Sequence, residues 1–252
     1  MELIDAFPLR KGDIIALVGA GGKTTTMFAI GVEAKKRGWK VILTTTTRIF
    51  CPREEEGQEL VIEANPERLL TKVKEKLALF PLLVVGTGLN HENKLLGIGR
   101  ELVAALPRSG ADLIVVEADG AAHKPFKAPR EGEPVIPDSA TLVVPIVGID
   151  CLGKPLDMEH THRPEKIAGL TGMNIDMLVT GQVVARVLLH SHGYRKDIPP
   201  RSRWVPYINK VESTADLSNA REIAGLLGEG GAKRVAIGAA RAAEPVKEVL
   251  TF

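Results

Sequence analysis

The stretch ALVGAGGKTTTMFAI, residues 16–30, decides how the rest of the chain is read. An apolar run, Ile14 to Gly19, feeds a turn with Gly19, Gly21 and Gly22, followed at once by Lys23, Thr24, Thr25 and Thr26. The usual phosphate-binding loop has the spacing GxxxxGK[ST]. That spacing asks for glycine at position 17, where Leu17 stands, so this loop is the shorter GxxGKTT beginning at Gly19. The physical requirements are met all the same. Glycines let backbone N–H groups close in on phosphate oxygens. A helix starting directly after the turn adds free amides and a dipole that favours an anion. Lys23 supplies a point charge for the terminal phosphates. The Thr24 hydroxyl supplies a ligand for Mg2+, which usually keeps waters and phosphate oxygens as further ligands. Gly19, Ala20, Gly21, Gly22, Lys23, Thr24 and Thr25 are thus the expected nucleotide-phosphate site. A glycine-rich turn without a ligand would not ask for Lys-Thr directly after Gly22.

Outward from this loop, short apolar runs alternate with helical patterns. The runs are 41–47, 60–64, 82–88, 112–120, 141–149, 204–209 and 234–240. Helical patterns cover 24–37, 66–77, 100–106, 164–171, 180–192 and 216–227. Such alternation predicts an α/β fold: a three-layer, doubly wound, mostly parallel sheet of the P-loop NTPase kind. The charged segment over 52–59 reads as a solvated loop, and the Pro- and Gly-rich stretch 124–138 as a long ordered loop. A single domain over 1–252 is expected. Ligands of such sheets bind at the carboxyl ends of the strands, so the residues there carry the function.

One strand end reads LIVVEADG, placing Glu117 and Asp119 on the same side of an extended segment. A carboxylate there binds Mg2+ directly or through water, or orients an attacking water. Glu117 to Gly120 also reads as ExxG, a variant of the DxxG that senses the terminal phosphate in GTPases. NKVE, residues 209–212, follows another apolar run and is one methylene away from the NKxD that holds guanine; a plain polar turn is an equal reading. In TTTTRIF the threonines suit a strand, but their hydroxyls and Arg48 would face the same crevice. The segment 121–137 carries His123, Lys124, Lys127 and Arg130 with prolines at 125, 129, 134 and 137. Prolines reduce the entropy of ordering it. A stiff basic loop beside a nucleotide suits a lid or an anionic second substrate, and selenium or molybdenum oxyanions or a pterin phosphate fit that description. His160 and His162 share one side if extended, but a metal pair needs a third ligand; His162 and Arg163 rank as substrate contacts instead.

The bulk numbers limit the alternatives. Of 252 residues, 44% are hydrophobic and 25% charged, and the net charge is +2, which leaves no global field toward nucleic acid or an acidic membrane. Aromatics at 4% are too few for a base-stacking surface. No apolar run reaches membrane-spanning length, and the first residues lack a signal pattern. Cys51 and Cys151 are far apart and form no CxxC. Reduced thiols and a cytoplasmic location follow as expectations.

GAGGKTTT, TTTTRI, EADGAAHKPFKAPREGEPVIP, HRPE and NKVE, in that order, resemble the YqeC family, accessory proteins for selenium-dependent molybdenum hydroxylases. The resemblance covers nearly the whole chain, and 117–137 is its most specific part. It implies a role in maturing the selenium-containing molybdenum site, with a hydroxylase subunit or the molybdenum cofactor as partner. GxxGKTT also resembles the loop of the Mur ligases, by which Lys23 and Thr24 would carry the ATP phosphates and Mg2+. The GKTT, ExxG and NKxE series resembles GTPases that assist metalloenzyme maturation. By that likeness Glu117 and Gly120 form a switch and Asn209, Lys210 and Glu212 a base site, with Glu212 standing where Asp is usual. The expectation is a Mg2+-dependent protein that binds and hydrolyses ATP or GTP, with catalytic Lys23, Glu117 and Asp119, and Thr24 and Glu117 on the metal. A nucleotide-gated carrier with little turnover, or a kinase or ligase activating a small anion, is the alternative.

Overall fold

The computed structural model describes residues 1–51 and 58–252, so most of the charged segment 52–59 lies outside the described residues. Along the chain run α1 (Leu3–Ala6), β1 (Asp13–Gly19), α2 (Lys23–Lys36), β2 (Val41–Thr45), β3 (Arg48–Phe50) and β4 (Glu59–Ile62). There follow α3 (Pro66–Leu79), β5 (Leu82–Gly86), β6 (Gly88–Leu89), β7 (Lys94–Leu96), α4 (Arg100–Val103), β8 (Leu113–Glu117) and β9 (Phe126–Lys127). The remainder is β10 (Leu142–Gly148), β11 (Thr161–His162), α5 (Pro164–Thr171), α6 (Gly181–Leu189), β12 (Arg203–Trp204), β13 (Tyr207–Asn209), α7 (Thr214–Glu229), β14 (Arg234–Gly238) and β15 (Val246–Thr251).

The main sheet has ten strands, with nine in the order β15-β14-β13-β10-β1-β8-β2-β5-β4 and β12 paired on β10. All its pairings are parallel except that of β14 with β15. Helices cover both faces, giving an α/β fold of three layers, consistent with a P-loop NTPase-like arrangement. Alternation along β1 divides the core. Ile15 and Leu17 pack with Met27, Ile30 and Ala34 of α2 and with Leu3 and Ile4 of α1. Ala16 and Val18 point the other way, toward α5, α6 and α7. Ile14 joins Leu69, Val73 and Leu77 of α3 on that second face. Burying each such large aliphatic side chain stabilises the fold by about 1.5–3 kcal/mol.

β1 is the central strand, paired with β8 on one side and β10 on the other. The loop after Gly19 and the acid at Glu117 therefore emerge side by side at one edge of the sheet. Local signals set the helix starts. Asn65 caps α3 by accepting from the Arg68 N–H, Thr180 caps α6, and Ser213 with Asp216 forms a capping box on α7. The N-terminus of α2 has Gly22 at the cap position and no side-chain cap.

Several segments differ from the sequence expectation. The second strand ends at Thr45 because Thr46 leaves the sheet, its hydroxyl donating to the Val135 carbonyl. The run 204–209 is split into β12 and β13 around Pro206, which has no N–H for a ladder. The helix expected over 100–106 is one α-turn, followed by a 3-10 turn over Leu106–Ser109 that contains Pro107. Three additions were not foreseen: antiparallel β15, a separate three-stranded antiparallel sheet in the order β3-β7-β6, and a two-stranded parallel pairing of β9 with β11. Among the described residues, no helix is long and apolar enough to cross a membrane. Cys51 and Cys151 are free thiols.

Candidate functional site

The glycine-rich loop is held open by backbone conformations and close approaches that a side chain would prevent. Gly19, Gly21 and Gly22 have φ of 91°, 81° and 120°. A Cβ on Gly21 would lie 2.1 Å from the Gly148 nitrogen. Two loop amides are already committed: Ala20 N–H donates to the Ile146 carbonyl and Gly21 N–H to the Lys124 carbonyl. The first helical bond at this end is Thr26 N–H to the Gly22 carbonyl. The amides of Gly22, Lys23, Thr24 and Thr25 have no partner among the described residues, as expected of an uncapped helix start. They open onto a cavity of about 900 Å3 that these four residues help to line. An anion would be held by residues 22–25, with Gly19 and Ala20 supporting from beneath.

Lys23 is buried, and its ammonium points inward. It donates to the Gly19 carbonyl at 2.7 Å and lies 3.1 Å from Asp119 Oδ1 and 3.7 Å from Glu117 Oε1. Burial works against its charge, but Asp119 and Glu117 outweigh that and raise its pKa above the ordinary lysine value. Asp119 Oδ2 accepts from the Gly19 N–H at 3.0 Å and from the Tyr194 hydroxyl at 3.3 Å, and lies 3.1 Å from Lys127 Nζ. Lys127 in turn donates to Glu133 at 2.9 Å, and Arg163 grips the same carboxylate with two bonds of 2.6 and 3.1 Å. Glu133 is held down to about 2; burial works against its charge, and the Arg163 and Lys127 bonds outweigh it. Four cations (Lys23, Lys127, Arg130, Arg163) thus face three carboxylates (Glu117, Asp119, Glu133) in one network. Removing one partner of a buried pair leaves a bare charge and costs about 3–5 kcal/mol.

Glu117 ends β8, and its Oε2 accepts from the Thr24 hydroxyl at 2.7 Å. Burial raises the Glu117 carboxyl above its ordinary value, against the pull of Lys23 and Thr24. No cluster of three or more His, Cys, Asp or Glu suited to a metal exists among the described residues. A hydroxyl beside one carboxylate nevertheless fits Mg2+, which takes few protein ligands and fills its octahedron with water and phosphate oxygens.

The remaining expected residues are distributed as follows. Arg48, His123, Lys124, His162, Arg163 and Lys210 line the cavity. His162 is pushed below its ordinary value by burial, then by Arg163 and Lys127, so it is neutral near pH 7. Asp119 and Lys127 are buried within the ion network and take no part in the cavity wall. The anion contact expected of Lys127 is replaced by its pairing with Asp119 and Glu133. Arg130 pairs with Glu133 and lines a different cavity, of about 400 Å3. The threonine hydroxyls expected in the crevice are directed elsewhere: Thr44 donates to the Val85 carbonyl, Thr45 to that of Glu117, Thr46 to that of Val135, and Thr47 pairs with Thr45. His160 bonds Asp157.

The NKVE segment also takes a different part from the one expected. Asn209 is buried; it donates to the Gly21 carbonyl at 2.8 Å and accepts from the Ala240 N–H at 2.9 Å. Its amide props the glycine-rich loop through these two bonds. Lys210 reaches Asp150 at 2.7 Å, and Glu212 does not line the cavity.

Four charged or aromatic wall residues escaped the sequence reading. Arg241, three residues beyond β14, was discoverable by applying the strand-end rule to the last parallel strand. Phe50, Glu92 and Lys94 belong to the small antiparallel sheet, whose strands are too short to show a pattern. Tyr194, behind Asp119, carried no sequence signal.

The model of the YqeC protein family matches residues 15–165. The chain is also 31% identical, over 82% of its length and 80% of the relative's, to a protein of Escherichia coli (strain K12) described as "Uncharacterized protein YqeC". This chain belongs to the YqeC family.

Proposed function

We propose that this YqeC-family chain is a Mg2+-dependent protein that binds and hydrolyses ATP or GTP. Its role would be in maturation of the selenium-containing molybdenum site of a hydroxylase. One observation carries the nucleotide reading. Four amides at residues 22–25, without a partner among the described residues, open onto a cavity of about 900 Å3 whose wall also holds Thr24 Oγ1 2.7 Å from a Glu117 oxygen. An anion, a divalent cation and the loop lysine would meet there. The maturation role is supported by the likeness of the 117–137, HRPE and NKVE segments to the family's motifs.

In this reading the amides of Gly22 to Thr25 bind the phosphate chain, and Asn209 keeps the loop in shape. Lys23 exchanges Asp119 for the terminal phosphate, where it stabilises developing charge. Bound Mg2+ would supply further positive charge at the phosphates, held by Thr24 and, directly or through water, by Glu117. Glu117, which lines the cavity, would position the attacking water; Asp119, buried behind it, could share that task only after releasing Lys23.

A thermal-shift panel tests the reading. A ligand that binds the folded state raises apparent stability. MgATP or MgGTP at millimolar concentration should raise the melting temperature, with phosphate released over time, and omission of Mg2+ should abolish the rise. No shift with either nucleotide would overturn it.

A further inference from the structure

The small sheet of β3, β7 and β6 forms a wall of the cavity with its own chemistry. In β3 the alternation buries Ile49 in the core and leaves Arg48 and Phe50 on the other face. Phe50 pairs across the strands with Lys94, and Ile49 with buried Leu95. Arg48, Phe50 and Lys94 therefore share one face, and all three line the cavity. Phe50 is 51% exposed, unusual for a phenylalanine. Its ring lies 5.2 Å from the His123 ring and 5.0 Å from Lys94 Nζ.

Charge along the cavity is uneven. Lys23, Lys94, Arg163 and Lys210 are each paired with a carboxylate, Lys94 with Glu92, and Lys124 donates to the Glu159 carbonyl. Arg48 and Arg241 line it without a partner among the described residues. They stand at opposite ends. Arg48 follows β2, on the β8 side of β1, whereas Arg241 follows β14, on the β10 side. The Thr24–Glu117 pair, where Mg2+ and the terminal phosphates would sit, is at the end of β8. A nucleoside would then extend toward β13 and β14, leaving the Arg48 end beyond the terminal phosphate.

We propose that Arg48, Phe50 and Lys94, with His123 alongside, form a second subsite for an anionic ligand that carries a planar ring. The guanidinium would bind the anion in a bidentate manner, and the Phe50–His123 pair would stack on the ring. Its position next to the terminal phosphate rests on the nucleotide reading; the subsite itself does not.

Phenyl phosphate is a suitable probe, with inorganic phosphate as the ringless control. Calorimetric titration is run on the wild-type chain, with and without MgATP, and on Arg48→Ala, Phe50→Ala and Lys23→Ala. Arg48 and Phe50 are exposed, so their removal should leave the fold intact. The expected result is phenyl phosphate binding that MgATP does not displace. Arg48→Ala should weaken it about tenfold or more. Phe50→Ala should abolish the preference over inorganic phosphate, and Lys23→Ala should change affinity by less than about threefold. The proposal is overturned if wild type fails to bind phenyl phosphate. It is equally overturned if Arg48→Ala and Phe50→Ala bind it unchanged, or if MgATP, or a Lys23→Ala chain shown by circular dichroism to be folded, abolishes binding, which would place the anion on the glycine loop. Failure of MgATP to bind wild type would instead count against the nucleotide reading and leave the probe series readable.

Discussion

Lys23 Nζ stands 3.1 Å from Asp119 Oδ1 while Asp119 Oδ2 accepts from the Gly19 N–H at 3.0 Å. One carboxylate thus holds both the loop's lysine and the loop's first amide. Its second oxygen also faces Lys127, which leads through Glu133 to Arg163. Any ligand that draws Lys23 outward must leave Asp119 with Lys127 as its remaining cation.

The first expected outcome concerns this hub. Asp119→Asn should destabilise the ligand-free protein by about 3–5 kcal/mol, because two buried lysines lose their shared counter-charge. Tyr194→Phe removes a single 3.3 Å hydrogen bond and should cost about 0.5–1.5 kcal/mol. Urea unfolding of both variants measures the difference, and equal effects would contradict the hub.

A second outcome is pH dependence. Glu133 is held at about 2, below its ordinary 4.5. It adds stability above its ordinary value and loses that contribution as pH falls toward 2. Glu133→Gln should therefore lower stability at pH 7 by on the order of 1–3 kcal/mol and flatten the decline between about pH 5 and 2. Parallel curves for the two proteins would refute this account of Glu133.

Asn209 and Glu212 should separate cleanly. Asn209→Ala removes the prop on the Gly21 carbonyl and should weaken MgATP and MgGTP binding alike, by about tenfold. Glu212→Ala should change neither by more than about twofold. A change in ATP-over-GTP selectivity in Glu212→Ala would restore a base-reading role for that residue.

Gly21→Ala tests the loop's backbone. The left-handed φ of 81° and a Cβ 2.1 Å from the Gly148 nitrogen leave no room for a methyl group. Thermal denaturation should show a loss of several degrees or more, whereas Gly38→Ala, also at positive φ but with open space around it, should cost much less. Comparable losses would show that φ alone sets the requirement.

Most of the parallel sheet was legible because most of its strands are continuous apolar runs and α3, α6 and α7 begin at side-chain caps. The loop and Glu117 were legible for the same reason, as strand ends in sequence order. What was not legible depends on partners distant in sequence. Thr44 to Thr47 look like free hydroxyls until the Val85, Glu117 and Val135 carbonyls arrive beside them. Lys127 reads as an exposed basic residue until Asp119 and Glu133 surround it. Phe50 and Lys94 meet only through the pairing of β3 with β7, which no local pattern announces.

The central claim is that residues 22–25 with Lys23 bind nucleotide phosphates. Its most direct test is calorimetric titration of MgATP and MgGTP into wild type, Lys23→Ala and Thr24→Val, each confirmed as folded by circular dichroism. Wild type should bind at least one nucleotide. Lys23→Ala should lose at least about tenfold in affinity, the scale of one charge-assisted contact, and Thr24→Val should lose the dependence on Mg2+. Binding by Lys23→Ala equal to wild type, or no binding by wild type to either nucleotide, would contradict the claim.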